Sequence, residues 1–168
     1  MAVQFTYVPI ATQTIGSATS SVTFSSIPST YQDLVLVSSV TNSSSGSNYS
    51  LSFRFNGDTG SNYSDTYLYG NGSSAASGRE SGTFVNIGNT TSITGTFTPT
   101  ITHIMNYANT TTYKTVMGRG NNSGAYVMGA VGLWRSTAAI TSMVIAPEFS
   151  ANNWNAGSTF TLYGIASA

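Results

Sequence analysis

Five carboxylates and one histidine are the groups in this 168-residue chain best suited to acid–base catalysis, and cysteine is absent. The histidine, His103, lies in Ile101-Thr-His-Ile-Met105, a segment typical of a β-strand. A catalytic triad needs a base held beside both a nucleophile and an acid, and the G-x-S-x-G motif of hydrolases does not occur. A lone histidine on a strand is more often structural. We therefore expect no catalytic residues and no enzymatic activity.

Asp58 and Asp65 are the closest pair of carboxylates able to converge, and they flank a segment rich in oxygen atoms, Thr59–Ser64. With Asn56 and Asn62 they could surround Ca²⁺, which takes 6–8 oxygen ligands, although the spacing does not match an EF-hand loop. The alternative, which we favour, is a wide hairpin loop held by Asx turns. A glycosidase needs two carboxylates in one cleft, and no clear pair stands out. No metal or other cofactor is expected.

Aromatic side chains offer two further interpretations. They could form a sugar-binding platform, or they could fill a sandwich core or a subunit interface. The residues concerned are Tyr63, Tyr67, Tyr69, Trp134, Trp154 and Tyr163. The core or interface interpretation is the more common outcome. A glycine-rich stretch, residues 118–124, resembles a phosphate loop only superficially and is predicted to be a turn.

Charge is scarce, since only 6% of the residues are charged against about 25% in a typical soluble domain. Solubility must rest on neutral hydroxyl and amide groups, supplied by 27 Ser, 25 Thr and 14 Asn. The five basic residues are scattered, whereas nucleic-acid binding draws on clustered cations. No run approaches the ~18 apolar residues of a membrane span. Neither nucleic acid nor a membrane is expected as a partner.

Alternation with a period of two residues recurs along the chain and predicts strands. In Tyr49–Phe55 the aromatic and leucine side chains fall on one face, and Ser50, Ser52 and Arg54 fall on the other. Asp33–Val40 is predicted to be a strand buried on both faces at its start. The other predicted strands are Val3–Val8, Ser21–Phe24, Thr66–Tyr69, Thr83–Ile87, Thr96–Met105, Tyr113–Met117, Tyr126–Trp134, Ala139–Ile145 and Thr159–Tyr163.

The pattern predicts an all-β, single-domain β-sandwich or jelly roll with 8–11 short antiparallel strands. Residues 16–168 would form the sandwich, and residues 1–15 would be either an N-terminal arm or its first strand. Asn71–Gly82 is predicted to be a loop that holds at most one helical turn. Pro99 lies within a strand-like run and indicates an edge strand or a bulge.

An ordered set of segments resembles small virion structural proteins of tailed bacteriophages, including phages of cyanobacteria and marine bacteria. The resemblance covers roughly residues 20–165 and rests on the segments as an ordered set. The segments are Val22–Leu34, Phe53–Asp58, Ser61–Ser64, Tyr67–Ala75, Gly132–Ile140 and Gly157–Ile165. The resemblance implies an all-β fold without enzymatic activity, and it does not fix a location on the particle.

The resemblance leads us to expect a capsid decoration, or cement, protein on the outer surface of the virion. Its partners would be the major capsid protein and copies of itself, as a homotrimer. The chain is short and has no fibre-shaft repeat, which favours this function over a tail fibre. The apolar residues that would contact the capsid or another subunit are Val3, Phe5, Tyr7, Val8 and Ile10. The alternative is a glycan-binding module, associated with a tail or head fibre, that recognises the host.

Overall fold

The computed structural model describes residues 6–43, 49–90, 96–122, 126–149 and 152–166, and these residues form twelve strands. The strands are β1 (Tyr7–Thr14), β2 (Val22–Phe24), β3 (Asp33–Val40), β4 (Tyr49–Phe55), β5 (Tyr63–Gly70), β6 (Ala75–Gly82), β7 (Val85–Thr90), β8 (Thr98–Met105), β9 (Lys114–Asn122), β10 (Tyr126–Trp134), β11 (Met143–Pro147) and β12 (Thr159–Ile165). Among the described residues there is no helix with the length and hydrophobicity of a membrane span.

The strands pair antiparallel in two sheets. The large sheet has eight strands in the order β1-β12-β3-β8-β9-β10-β5-β6, and the small sheet has four in the order β2-β11-β4-β7. Strand β7 of the small sheet packs mainly against β9 and β10 of the large sheet. The all-β, antiparallel, sandwich-like prediction is confirmed, and the finer assignment to a jelly roll stays a prediction. The predicted number of 8–11 strands is too low, because the described residues form twelve, one of them in the predicted loop Asn71–Gly82.

The core lies between the sheets and is rich in aromatic side chains. As the alternation of β4 predicts, Leu51, Phe53 and Phe55 are fully buried. The Phe55 ring lies 5.5 Å from the ring of Trp134, measured between centroids. On the same side of the large sheet, Trp154 contacts Phe160 at 5.4 Å. Burial of side chains of this size contributes most of the hydrophobic stabilisation of a small domain.

The two sheets approach closely because glycines face β7 from the large sheet. A Cβ atom added at Gly132 would lie 2.2 Å from Cγ1 of Val85, and one added at Gly118 would lie 2.0 Å from Cγ2 of Ile87. Both distances are far shorter than a van der Waals contact. The β-branched side chains of β7 therefore fill space that any other residue at these two positions would occupy.

Asn56 holds the turn after β4 against the segment that precedes β11. Its backbone is left-handed, with φ of 52°, a conformation that asparagine tolerates better than most residues. Its Nδ2 donates to the carbonyl of Ala139 at 2.7 Å. Its Oδ1 accepts from the amides of Thr141 at 2.9 Å and Ser142 at 3.1 Å.

Three local predictions from the sequence are wrong. Within Asn71–Gly82, the predicted loop, residues 75–82 form the edge strand β6, because pairing with β5 supplies the order that the sequence lacks. Pro99 lies near the start of β8, which is an inner strand and not an edge strand; proline is tolerated there because the pairing of β8 with β9 begins only at Thr100, so that Pro99 has a partner on β3 alone, Ser39. The predicted turn at residues 118–124 is the end of β9 as far as Asn122; the rest of it lies outside the described residues.

Candidate interaction surface

One side of the large sheet packs against the small sheet, and we call the opposite side the outer face. Because side chains alternate between the two faces along a strand, every second residue lies on the outer face. One row of such residues across the sheet consists of Val37, Ile101, Arg119, Gly129 and Leu68. A neighbouring row reads Val35, His103, Met117, Val131, Thr66 and Arg79. Five consecutive strands, β3, β8, β9, β10 and β5, thus each contribute an apolar side chain.

Apart from Val35, which is buried, these apolar side chains are exposed. Leu68 is 66% exposed and Val127 64%. The set that we call the apolar stripe comprises Val37, Ile101, Leu68, Met117, Val127 and Val131. Single exposed apolar residues are ordinary on a monomer, whereas a contiguous group usually marks a binding surface.

A groove of about 610 Å³ runs along the stripe over β8, β9, β10 and β5. Its lining is mainly apolar and includes Ile101, Met117, Leu68 and Val131. Gly129 lies in the middle, where an added Cβ would meet no atom within 4 Å. The depression therefore arises where a side chain is missing from the middle of an otherwise filled face.

Two arginines accompany the stripe. Arg119 stands in the same row as Ile101, and Arg79 lies on β6 at one end of the neighbouring row. Both are exposed, and no ion pair is recorded for either within the described ranges. The outer face therefore carries uncompensated positive charge.

His103 has a partner on the same face. Its Nε2 lies 2.9 Å from Oδ2 of Asp33, and Oδ1 of Asp33 accepts from the amide of Asn106 at 2.7 Å. Asp33 is the only carboxylate on the outer face, because the other four lie in loops or on the inner side. The pair links β3 to β8, and no nucleophile is bonded to His103 in the described part of the chain.

The two calcium candidates are engaged with different partners. Asp58 accepts hydrogen bonds from the Trp134 indole at 2.7 Å, from Asn62 at 3.0 Å and from the amide of Gly60 at 2.8 Å. The Trp134 bond is the main cause of the lowered pKa of Asp58. No group of three or more acidic or histidine side chains able to hold a metal occurs among the described residues.

Asp65 instead faces the inside of the large sheet and is 3% exposed. Its Oδ1 accepts from the amide of Asn86 at 3.2 Å, which ties β5 to β7, whereas Oδ2 has no partner among the residues that the structure describes. Glu80 lies directly opposite on β6. Burial raises the pKa of Asp65 to about 6, and the negative charge of Glu80 adds to the rise.

Some of the aromatic residues lie in the core, and others lie near the β6 edge of the large sheet. Tyr63, Trp134 and Trp154 are buried, as the core interpretation predicts. Tyr67 and Tyr69 are half-buried at the β6 end of the large sheet, with ring centroids 6.4 Å apart. Tyr126 packs edge-on against Tyr69 at 5.3 Å, and the Tyr67 hydroxyl lies 3.4 Å from Oε1 of Glu80.

The N-terminal contact residues fall partly on β1. Val3 and Phe5 lie outside the described residues. Tyr7 is 54% exposed, whereas Val8 is half-buried and Ile10 packs against the core. Within residues 1–15, predicted to be an arm or a first strand, Tyr7–Thr14 form an edge strand paired with β12.

The outer-face stripe is a candidate surface that the sequence analysis did not identify. Each strand contributes only one or two of its residues, so no segment stands out. The available signal was an apolar residue on the otherwise polar face of a strand, such as Met117 in Lys114–Asn122 or Leu68 in β5. Comparison of the chain with protein-family models, curated proteins and solved structures found no match.

Proposed function

We propose that this protein is a structural component of a phage virion, a capsid decoration protein that binds across capsomer junctions and stabilises the head. The observation that carries the proposal is the exposed apolar stripe on the outer face of the large sheet. A surface of this kind is typical of a protein that binds another protein. The resemblance of the sequence to small virion proteins supplies the identity of the larger assembly.

The architecture suits a structural role that requires no chemistry. Eight strands in one sheet give a broad face that is held by continuous backbone pairing. Because the stripe is apolar, salt screens only the contribution of the two arginines to contacts through this face. We further propose a homotrimer, because several linked weak contacts multiply avidity at a symmetric position on a capsid.

Binding to heads tests this proposal directly. Purified phage heads that lack the protein are mixed with the recombinant chain, and bound protein is measured by co-sedimentation and located by cryo-electron microscopy. We expect saturable binding with regular density over the head, and a trimer by light scattering. Absence of binding to heads, or density confined to the tail, would contradict the decoration role.

A second function is favoured by a separate observation, the half-buried cluster of Tyr67, Tyr69 and Tyr126 beside Glu80. Aromatic rings can stack on the apolar face of a sugar, and a carboxylate beside them can accept hydrogen bonds from the sugar hydroxyls. This arrangement supports the alternative of a glycan-binding module. A glycan array with the wild-type protein and Tyr69→Ala tests it: specific binding that is lost in the variant would favour host recognition.

A further inference from the structure

We propose that the groove on the outer face binds a protein surface that is apolar and bordered by carboxylates. This inference rests on the proposed function, because it specifies the chemistry of the partner at the same face. The partner must cover Leu68, Met117 and Val131, which are 66%, 52% and 44% exposed. Removing these side chains from water provides the driving force for association.

Charge complementarity determines which charge the partner must carry around its apolar surface. Arg119 and Arg79 are exposed on the face, and the one carboxylate there, Asp33, is already bonded to His103 and to the amide of Asn106. Burying an arginine without a counter-ion is costly, whereas pairing it with a carboxylate offsets that cost and selects against basic partners. The carboxylates therefore have to come from the partner.

The two arginines also disfavour a symmetric pairing of this face with itself. Two copies docked face to face would bring four arginines together, while each Asp33 remains occupied by its own His103. Like charges at an interface suppress association. The occupant is thus a different surface from the outer face.

The shape of the groove supports the proposal independently of its charge. Because Gly129 leaves the groove open at its centre, a side chain from the partner can enter between Ile101 and Leu68. Gly129→Leu would fill the space with little steric conflict inside the chain. Gly82→Leu is the matched control, because Gly82 also has open space around an added Cβ but lies on the inner side at the end of β6.

The test uses the full chain labelled with ¹⁵N and two short probe peptides, one alternating Val and Glu and the other alternating Val and Lys. We expect the Glu peptide to shift the amide resonances of Leu68, Met117 and Val131 and to bind roughly fivefold more tightly than the Lys peptide, as expected for two exposed ion pairs. Arg119→Glu should reverse that preference. Gly129→Leu should weaken binding of the Glu peptide, and Gly82→Leu should not. Thermal melts check that each variant is folded.

The outcomes separate this inference from the decoration role. Equal affinity for the two peptides, or resonance shifts away from the outer face, would overturn the inference. Head binding that survives both Arg119→Glu and Leu68→Asp would also overturn it while leaving the decoration role intact. Peptide binding at the face together with a failure to bind heads would support the surface and refute the decoration role.

Discussion

Asp65 should make the protein less stable as the pH rises from about 4 to about 6. Burial favours its neutral form, so that the pKa is about 6 in the folded chain against 3.8 for an unperturbed aspartate. The stabilising contribution is therefore fully present below about pH 4 and is lost as the pH passes through about 6. The difference in pKa corresponds to about 3 kcal/mol of unfolding free energy.

For a chain of this length, that change lowers the melting temperature by roughly 6–12 °C between about pH 4 and pH 8. Asp65→Asn removes the titrating group and keeps an oxygen for the Asn86 amide. We expect the variant to show a much flatter dependence of melting temperature on pH than the wild type. Glu148, whose pKa burial also raises, acts in the same direction and accounts for part of the slope that remains.

The assay is calorimetry or circular dichroism melting at several pH values in constant ionic strength. Asp58→Asn is the control, because the hydrogen bond from Trp134 lowers the pKa of Asp58. The contribution of Asp58 to the free energy of unfolding is complete above about pH 4 and does not change further toward pH 8. Asp58→Asn should therefore melt lower at every pH in this range with an unaltered slope. Equal slopes for Asp65→Asn and the wild type would refute the reasoning about Asp65.

Three further predictions follow from the packing. Phe53→Ala should cost roughly 3–5 kcal/mol, because the ring is fully buried; an unchanged denaturation midpoint would mean that the ring does not pack between the sheets. Gly132→Ala should cost about 1–3 kcal/mol, because the new methyl group overlaps Val85, and adding Val85→Ala should recover part of that loss in a double-mutant cycle. Asn56→Ala should cost about 2–4 kcal/mol, because four side-chain hydrogen bonds and a left-handed backbone depend on Asn56, whereas Asn56→Asp, which keeps the three acceptor bonds, should melt between Asn56→Ala and the wild type.

Strands whose periodicity reflects burial could be predicted from the sequence. Asp33–Val40, Tyr49–Phe55 and Tyr126–Trp134 are found with the predicted boundaries, because one side of each faces the core. Strand β6 could not be predicted, because Ala75–Gly82 shows no alternation of apolar and polar residues. Its conformation depends on pairing with β5. Sequence patterns register burial, and an edge strand is stabilised chiefly by backbone hydrogen bonds.

The candidate surface could not be predicted because it depends on strand order. Val37 and Ile101 are neighbours only because β3 lies beside β8, although they are far apart in the chain. The sequence did indicate that β3 is buried on both faces at its start, and Leu34, Val35 and Leu36 are buried. That Val37 is exposed on the outer face depends on which strands flank β3.

The pairing of β1 with β12 has a consequence for how the protein is made. Tyr7 faces Ile165 and Thr14 faces Thr159, so β1 cannot pair until β12, which comes much later in the sequence, has been synthesised. Strands β3 and β12 are likewise distant in sequence and adjacent in the sheet. Such non-local pairing slows folding. The large sheet is complete only after β12 has emerged from the ribosome. Until then, the edge of β3 that β12 will cover is unpaired, and other nascent chains can add to it.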